Sequence, residues 1–378
     1  MTDLTRLIEP YTSIRAEARS FAASLEPIAV EADACNDVHA PTLDALRASG
    51  LIRFTVPAAY GGEFEKVDPF AVCLVREQLM AVCSHADSLF ALQGIGSFAL
   101  STAGSDEQRT EWLPRVATGE VLAALALTEP VAGSDLKGIT TTAVERNGSI
   151  VIDGEKAFIS NAGAAGFYTV LAREEVGLSA FLVPASTPGV STAPAPELIA
   201  PHVLGTVRFE HVTVPSSARL GTPGQGLEPV LSTLAVFRVS VAAAAVGLAQ
   251  TALEEATRHA RERQQFGRPL IRLGPVAGLL ADSWADVAST RLLTYEAARL
   301  ATEDPRRNLE HSSLAKLAAT EACSRVVDRC VQVMGRWGLV RDSRIERCYR
   351  QARAMRIYEG ASEVIRLGIA RHLAGEVA

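Results

Sequence analysis

The sequence has no block of lysines and arginines and no basic stripe interleaved with aromatic residues, so nucleic acid is not an expected partner. Its 37 Lys and Arg and 43 Asp and Glu are mixed along the chain, for a formal net charge of −6, which favours solubility. No apolar run is long enough to span a bilayer; the most hydrophobic stretch, residues 239–249, is short and rich in alanine, and no membrane partner is expected. Met1-Thr2-Asp3-Leu4-Thr5-Arg6 is polar, without the apolar segment of a signal peptide, so a secretory signal is not expected. The six cysteines (35, 73, 83, 323, 330 and 348) form no Cys-x-x-Cys pair, and Cys323 and Cys330 stand at helical core spacing. This usage predicts reduced, buried thiols and a cytoplasmic protein. Cys83 and His85 lack a second ligand pair, so no metal site is expected. Internal repeats and low-complexity tracts are also missing.

The 378 residues, 48% apolar and 21% charged, suit an ordinary globular chain of two or three domains. Three zones differ in periodicity. Residues 1–122 follow a helical pattern, with Leu43, Leu46 and Leu51 and the run from Phe70 to Met80 as examples. Residues 123–222 lose it: 141–146 and 149–153 predict two strands joined at Asn147-Gly148, a pair suited to a tight hairpin turn because both residues tolerate positive φ. Further strands are predicted at 157–160, 168–172, 180–183 and 207–214. Residues 223–378 return to long helices. One ends near Gln265-Phe266-Gly267-Arg268-Pro269, the next carries Val276, Leu280, Trp284 and Val287 on one face, and a third carries Cys323, Val326, Val327, Cys330, Val331 and Met334 at core spacing. The predicted class is α+β: an N-terminal all-α domain (1–122), a middle antiparallel β-barrel or sandwich (123–222) and a C-terminal four-helix bundle (223–378).

Each motif carries a plain structural reading beside a functional one. Gly94-Ile95-Gly96-Ser97-Phe98-Ala99 has dinucleotide-type spacing but lies in a helical zone with no strand leading in, and reads as a helix contact. Thr128-Glu129-Pro130-Val131-Ala132-Gly133-Ser134-Asp135 is either an ordinary turn or a set of hydroxyls and backbone N–H groups for a ring edge or a phosphate. Arg263-Gln264-Gln265-Phe266-Gly267 is either a basic helix end or a guanidinium and ring suited to a diphosphate or adenine. Ile357-Tyr358-Glu359-Gly360-Ala361-Ser362-Glu363 places a carboxylate just before a helix, either complementing that helix end or facing a ligand, with Gly360 free to adopt unusual angles.

Taken together, from about residue 12 to the end, the chain resembles the acyl-CoA dehydrogenase family. The likeness rests on the α–β–α order and on separated motifs: Thr128-Glu129-Pro130 through Asp135, Glu155-Lys156-Ala157-Phe158-Ile159-Ser160-Asn161, Arg263 through Gly267, Gln332-Val333-Met334-Gly335 with Arg350-Gln351-Ala352-Arg353, and Ile357-Tyr358-Glu359-Gly360. The resemblance implies FAD-dependent α,β-dehydrogenation of an acyl thioester, Glu359 taking the α-proton and flavin N5 the β-hydride. It implies that Leu127, Thr128, Gly133, Ser134, Phe158 and Ser160 meet the flavin. It further implies that Arg263, Phe266, Gln332, Gly335, Arg336, Ala361 and Glu363 touch FAD, partly that of another subunit, and that Ser134, Arg238 and Gly360 touch substrate. It also implies an electron-transfer flavoprotein as partner and a homotetramer, at least a dimer. The chain departs from the family at Arg336 (usually glycine), Ala361 (threonine), Gly274 (glutamine), Gln351 (aspartate) and Ala235 (aspartate). The last removes a polar group from the thioester-carrier channel, so an acyl group on a carrier protein stands beside acyl-CoA. The same motifs are compatible with a flavin monooxygenase or oxidase of this fold, and with a module that binds FAD or a carrier protein without turnover. Burial beside substrate is expected to raise the pKa of Glu359 toward working pH.

Overall fold

The computed structural model describes residues 5–375; Met1 to Leu4 of the polar N-terminal stretch lie outside them. In chain order the helices α1 (Thr5–Ile8), α2 (Thr12–Ser24), α3 (Ala29–Ala32), α4 (Ala40–Ser49), α5 (Pro69–Met80), α6 (Ser84–Ala103) and α7 (Asp106–Ala117) come first. Strands β1 (Ala123–Ala126), β2 (Thr142–Arg146), β3 (Ser149–Ser160), β4 (Phe167–Glu174), β5 (Gly177–Pro184), β6 (Val190–Pro194), β7 (Leu204–Pro215) and β8 (Arg219–Leu220) follow. Then come α8 (Leu227–Glu262), the short strands β9 (Gln264–Gln265) and β10 (Arg268–Pro269), α9 (Gly274–Glu303), α10 (Leu309–Met334), α11 (Arg344–Met355) and α12 (Ser362–Leu373). Helical segments thus precede and follow a sheet, the α+β class expected. The chain forms two compact units, one from residues up to Asp33, Pro69–Asp87 and Arg238 onward, the other from Ala34–Asp68 and Ser88–Phe237.

The sheet unit is built on the order β6-β7-β3-β2-β4-β5-β8. Asn147 and Gly148 have φ of 52° and 77°, which closes the β2–β3 hairpin as their types predict. The sheet differs from an all-antiparallel barrel in two pairings: β1, which the periodicity did not reveal, and β2 both pair parallel with β4, making the sheet mixed. Four residues, Ala123-Ala124-Leu125-Ala126, are too few and too alanine-rich to show a period of two. Gly94 and Gly96 sit inside α6 as helix contacts: a Cβ on Gly94 would stand 2.2 Å from the Phe237 ring, and one on Gly96 2.6 Å from the backbone of Ala123.

The helical unit packs around the middle of α8, where Ala242 to Ala245 are fully buried and a Cβ at Gly247 would stand 2.1 Å from the carbonyl of Glu77. Small side chains here let helices approach closely. By length and composition α8 is apolar enough to cross a membrane, yet 78% of its most apolar window is buried inside the protein, as for a core helix. The face expected for α9 needs one correction. Leu280 and Val287 are buried together with Ser283, Thr294 and Ala298, whereas Trp284 is 55% exposed. Leu280 and Val287 lie on the expected face with Val276 packed against the core, but Ser283 takes the place expected for Trp284, which points about 100° away around the helix.

Candidate functional site

In the helical unit, the loop between α11 and α12 carries Glu359. Its entry is held by the amides of Ile357 and Tyr358 donating to the carbonyl of Ala354, and its exit by the amide of Ser362 donating to the carbonyl of Arg356. Glu359 and Gly360 both lie in the left-handed region, with φ of 56° and 108°. A glutamate there costs on the order of 1 kcal/mol, so the surroundings must impose it. Two cations do so. Arg238 on α8 donates from Nε to the carbonyl of Glu359 at 3.0 Å and from Nη1 to Ser313 Oγ at 2.9 Å. Lys316 on α10 donates from Nζ to the carbonyl of Gly360 at 2.6 Å.

The carboxylate is left free: Glu359 Oε2 is buried with no hydrogen-bond partner. Burial pushes the carboxyl up from the ordinary carboxylate range, against the pull of Arg238, Arg76 and Lys316. Arg76 on α5 is itself fixed by Asp87, at 2.9 and 2.7 Å, and donates to Ser240 Oγ at 2.9 Å. Among the described residues nothing accepts the Glu359 amide. A buried, unbonded carboxylate oxygen with a raised pKa has the properties of a proton acceptor.

In the sheet unit, residues 127–129 are stapled along β3. Lys156 Nζ donates to the carbonyl of Leu127 at 3.0 Å and to Glu129 Oε1 at 2.8 Å, and the amide of Ala157 donates to the carbonyl of Thr128 at 2.8 Å. Glu129 also accepts from the amides and hydroxyls of Thr140 and Thr141, at 2.6 to 3.0 Å. Burial alone would raise its pKa, but these bonds outweigh burial and hold it at about 2. Burial lowers the pKa of Lys156, partly offset by Glu129.

Leu127 and Thr128 are thereby brought beside Phe158. There β3 breaks register between Lys156 and Ile159, and Phe158 takes a φ of 55° with its side chain 53% exposed. A bulge of this kind re-aims one side chain out of the sheet. Two residues on, Ser160 Oγ lies 3.2 Å from His202 Nε2, whose Nδ1 lies 3.3 Å from Ser88 Oγ. Gly133 and Ser134 are exposed in the turn that follows Glu129 and Ala132, which bond to each other through their backbones.

The remaining residues belong to the helical unit. Arg263 follows α8, and Phe266 tops a two-residue turn between β9 and β10, with φ of 53° at Phe266 and 71° at Gly267. The stop signal at this point is thus a small hairpin, with Phe266 89% exposed. Gln332 lies in the last turn of α10, Gly335 caps it with φ of 57°, and the guanidinium of Arg336 lies 5.5 Å from the Trp337 ring centre. Ala361 caps α12, and Glu363 is exposed in its first turn. Gln351 donates to Asp33 Oδ2 at 3.1 Å and Ser84 Oγ at 2.7 Å, so the carboxylate missing from position 351 has a counterpart at Asp33. Gly274 opens α9 with free space around it, and Ala235, which belongs to the sheet unit, is fully buried.

Sequence reasoning missed Lys316, Arg76 with Asp87, and His202. Lys316 carried a signal: it continues the buried stripe of Thr320, Cys323, Val327, Cys330 and Met334, a charge at a core position. His202 lies in an irregular segment where no period marks a direction.

In the sheet unit, Phe158 presents exposed ring surface and a Cβ at Gly133 would meet nothing within 4 Å, leaving backbone open to the edge of a planar ring. In the helical unit, Phe266 is exposed and a Cβ at Gly267 or Gly335 would likewise meet nothing within 4 Å, which suits backbone approach by a diphosphate.

Comparison with known proteins gives the same direction. The N-terminal, middle and C-terminal domains of acyl-CoA dehydrogenase match residues 9–120, 124–212 and 224–374. The chain is 33% identical over 372 residues to cyclohexane-1-carbonyl-CoA dehydrogenase of Geobacter metallireducens, covering 97% of each. It is 34% identical to the human mitochondrial short-chain specific acyl-CoA dehydrogenase, covering 97% of this chain and 90% of that one. Among solved structures, a glutaryl-CoA dehydrogenase from Mycobacterium smegmatis in complex with FADH2 superposes with a TM-score of 0.93 at 27% identity, covering 100% of this chain and 97% of that one. With every part of its length accounted for in this way, the chain belongs to the acyl-CoA dehydrogenase family, FAD-dependent oxidoreductases that act on acyl-CoA thioesters.

Proposed function

We propose that Glu359 is the base that removes the α-proton of the acyl thioester. The observation that carries this is its buried Oε2, which no protein donor satisfies. An α-proton beside a thioester is weakly acidic, so the base needs a raised pKa and the developing enolate needs a donor. Burial supplies the first, and the unengaged amide of Glu359 supplies a donor for the thioester oxygen. Gly360 and Arg238 line the acyl side of the same loop, and Ser134 is the further substrate contact.

FAD, when bound, supplies the acceptor for the β-hydride. Leu127, Thr128, Gly133, Ser134, Phe158 and Ser160 hold its ring. Arg263, Phe266, Gln332, Gly335, Arg336, Ala361 and Glu363 hold the rest, in part from a neighbouring subunit. The working assembly is a cytoplasmic homotetramer, reoxidised by an electron-transfer flavoprotein. Exposed Trp284 and Leu292, on one face of α9, support self-association. The carrier of the acyl group is CoA, and the buried Ala235 keeps a carrier protein as the second candidate.

Anaerobic bleaching of the bound flavin, across a panel of CoA and carrier-protein thioesters, tests the assignment. The expected result is bleaching by at least one CoA thioester, abolished in Glu359→Gln while FAD stays bound. Normal bleaching in that variant removes Glu359 from the role; fast reoxidation by oxygen with a hydroxylated product makes the chain a monooxygenase instead.

A further inference from the structure

We propose that Lys316 is a positioning residue for Glu359: by donating to the carbonyl of Gly360 it fixes the strained loop that carries the base. This rests on Glu359 being the base. Lys316 is fully buried, and its ammonium ends on the Gly360 carbonyl at 2.6 Å. One residue earlier, Arg238 grips the carbonyl of Glu359 at 3.0 Å. Two consecutive carbonyls are therefore held by cations from two different helices, α10 and α8. A charge-assisted bond is about twice as strong as a neutral one, enough to offset a left-handed glutamate. Because Lys316 bonds to a backbone oxygen, and Arg238 to a backbone oxygen and to Ser313 Oγ, the Glu359 side chain keeps Oε2 unbonded for the proton. A lysine that paired with the carboxylate instead would quench the base.

Burying an ammonium is costly, and the protein has little reason to keep one at a core position unless the charge is used. Burial and Arg238 push Lys316 down to about 8, while Glu359, Glu321 and Glu363 pull the other way. The groups acting on Glu359 are Arg238, Arg76 and Lys316. Glu310 acts on Arg238, and Asp87 and Tyr358 act on Arg76. Lys316 thus does two things at once: it fixes the loop and it is one of three positive charges that favour the ionised carboxylate.

The sign of each effect follows. Removing the charge makes the carboxylate harder to form, so the acid limb of the rate moves to higher pH. Removing the bond lets the carboxylate wander, which lowers the rate on the plateau. Lys316→Met removes both; Lys316→Arg keeps the charge and a donor.

The test uses the FAD-loaded protein and measures anaerobic single-turnover bleaching against pH, with hydrogen exchange across residues 357–362 read without substrate. Lys316→Met is expected to retain FAD, slow the plateau by roughly tenfold to a hundredfold, move the acid limb upward and speed loop exchange. Lys316→Arg is expected to recover most of the rate with the limb where the native protein has it. Should Lys316→Met fail to fold, the native protein and Lys316→Arg carry the comparison: the native rate is expected to decline above pH 8, where the ammonium is lost, and the arginine variant is expected not to decline. The proposal is overturned if Lys316→Met bleaches at the native rate with an unmoved limb, or if the Met and Arg variants are equally slow with the limb in place, which is the signature of packing alone. Normal bleaching by Glu359→Gln is a separate outcome, which removes the base assignment and this proposal with it.

Discussion

At the scale of single residues, Glu359 combines three conditions that seldom coincide: a left-handed backbone, a buried carboxylate oxygen and surrounding cations that bond elsewhere. The pH dependence follows from them. Burial raises the carboxyl above its ordinary value of 4.5, and only the ionised form accepts a proton. The bleaching rate is therefore expected to rise with pH through a midpoint above the ordinary carboxylate range; a plateau already reached at pH 4.5 contradicts the assignment. Gly360 adds a steric prediction. Its φ is 108°, and a Cβ there would stand 3.3 Å from Ile365 Cγ1 and 3.4 Å from Arg238 Nη2. Gly360→Ala is expected to destabilise by about 1–3 kcal/mol, read from denaturant midpoints, and to slow bleaching because a side chain at this φ strains the loop that carries Glu359.

At the scale of elements, the buried Lys156–Glu129 pair joins β3 to residues 127–129. Glu129→Gln strands the Lys156 ammonium in the interior and is expected to cost roughly 3–5 kcal/mol, while replacing both partners by methionine is expected to cost much less. Because Leu127 and Thr128 hang from this staple, FAD retention should fall with the single change, measurable by dialysis and visible absorbance. Glu129 also has a definite pH signature. Its folded value of about 2 lies below the ordinary 4.5, so its contribution to stability is fully present above about pH 4.5 and fades as the pH falls toward 2. These elements also show what a sequence reveals. The β2–β3 hairpin was legible because Asn147-Gly148 names its own turn, and the buried face of α10 because cysteine and valine repeat at helical spacing. Strand β1 was not, being short and alanine-rich, and on α9 Trp284 was put on the buried face because the residue that is buried there, Ser283, is small and polar. In the sequence, the role proposed for Glu359 rests on family likeness: composition shows a glutamate beside a glycine, but nothing local shows that helices far apart in the chain bring Arg238, Lys316 and Arg76 around it.

At the scale of the whole molecule, many of the residues proposed to hold FAD are exposed. Phe266 is 89% exposed, and Arg263, Gln332 and Arg336 are also open in the single chain. Trp284 and Leu292 lie eight residues apart on α9, on one helical face, and both are more than half exposed. Exposed side chains of this kind gain by burial against another copy, and each fully buried large apolar residue contributes about 1.5–3 kcal/mol. If Arg263 and Phe266 complete the FAD site of a neighbouring subunit, assembly and cofactor binding are one linked equilibrium: each stabilises the other by mass action. The double variant Trp284→Glu, Leu292→Glu is then expected to lower the sedimentation mass toward the 40.1 kDa protomer and to lose flavin in parallel, although neither residue is among those assigned to FAD. Adding excess FAD is expected to shift the variant back toward the assembled form. Flavin that stays fully bound to a protomer of that mass would show that one chain suffices for the site, and the exposed residues of the β9–β10 turn would need another explanation.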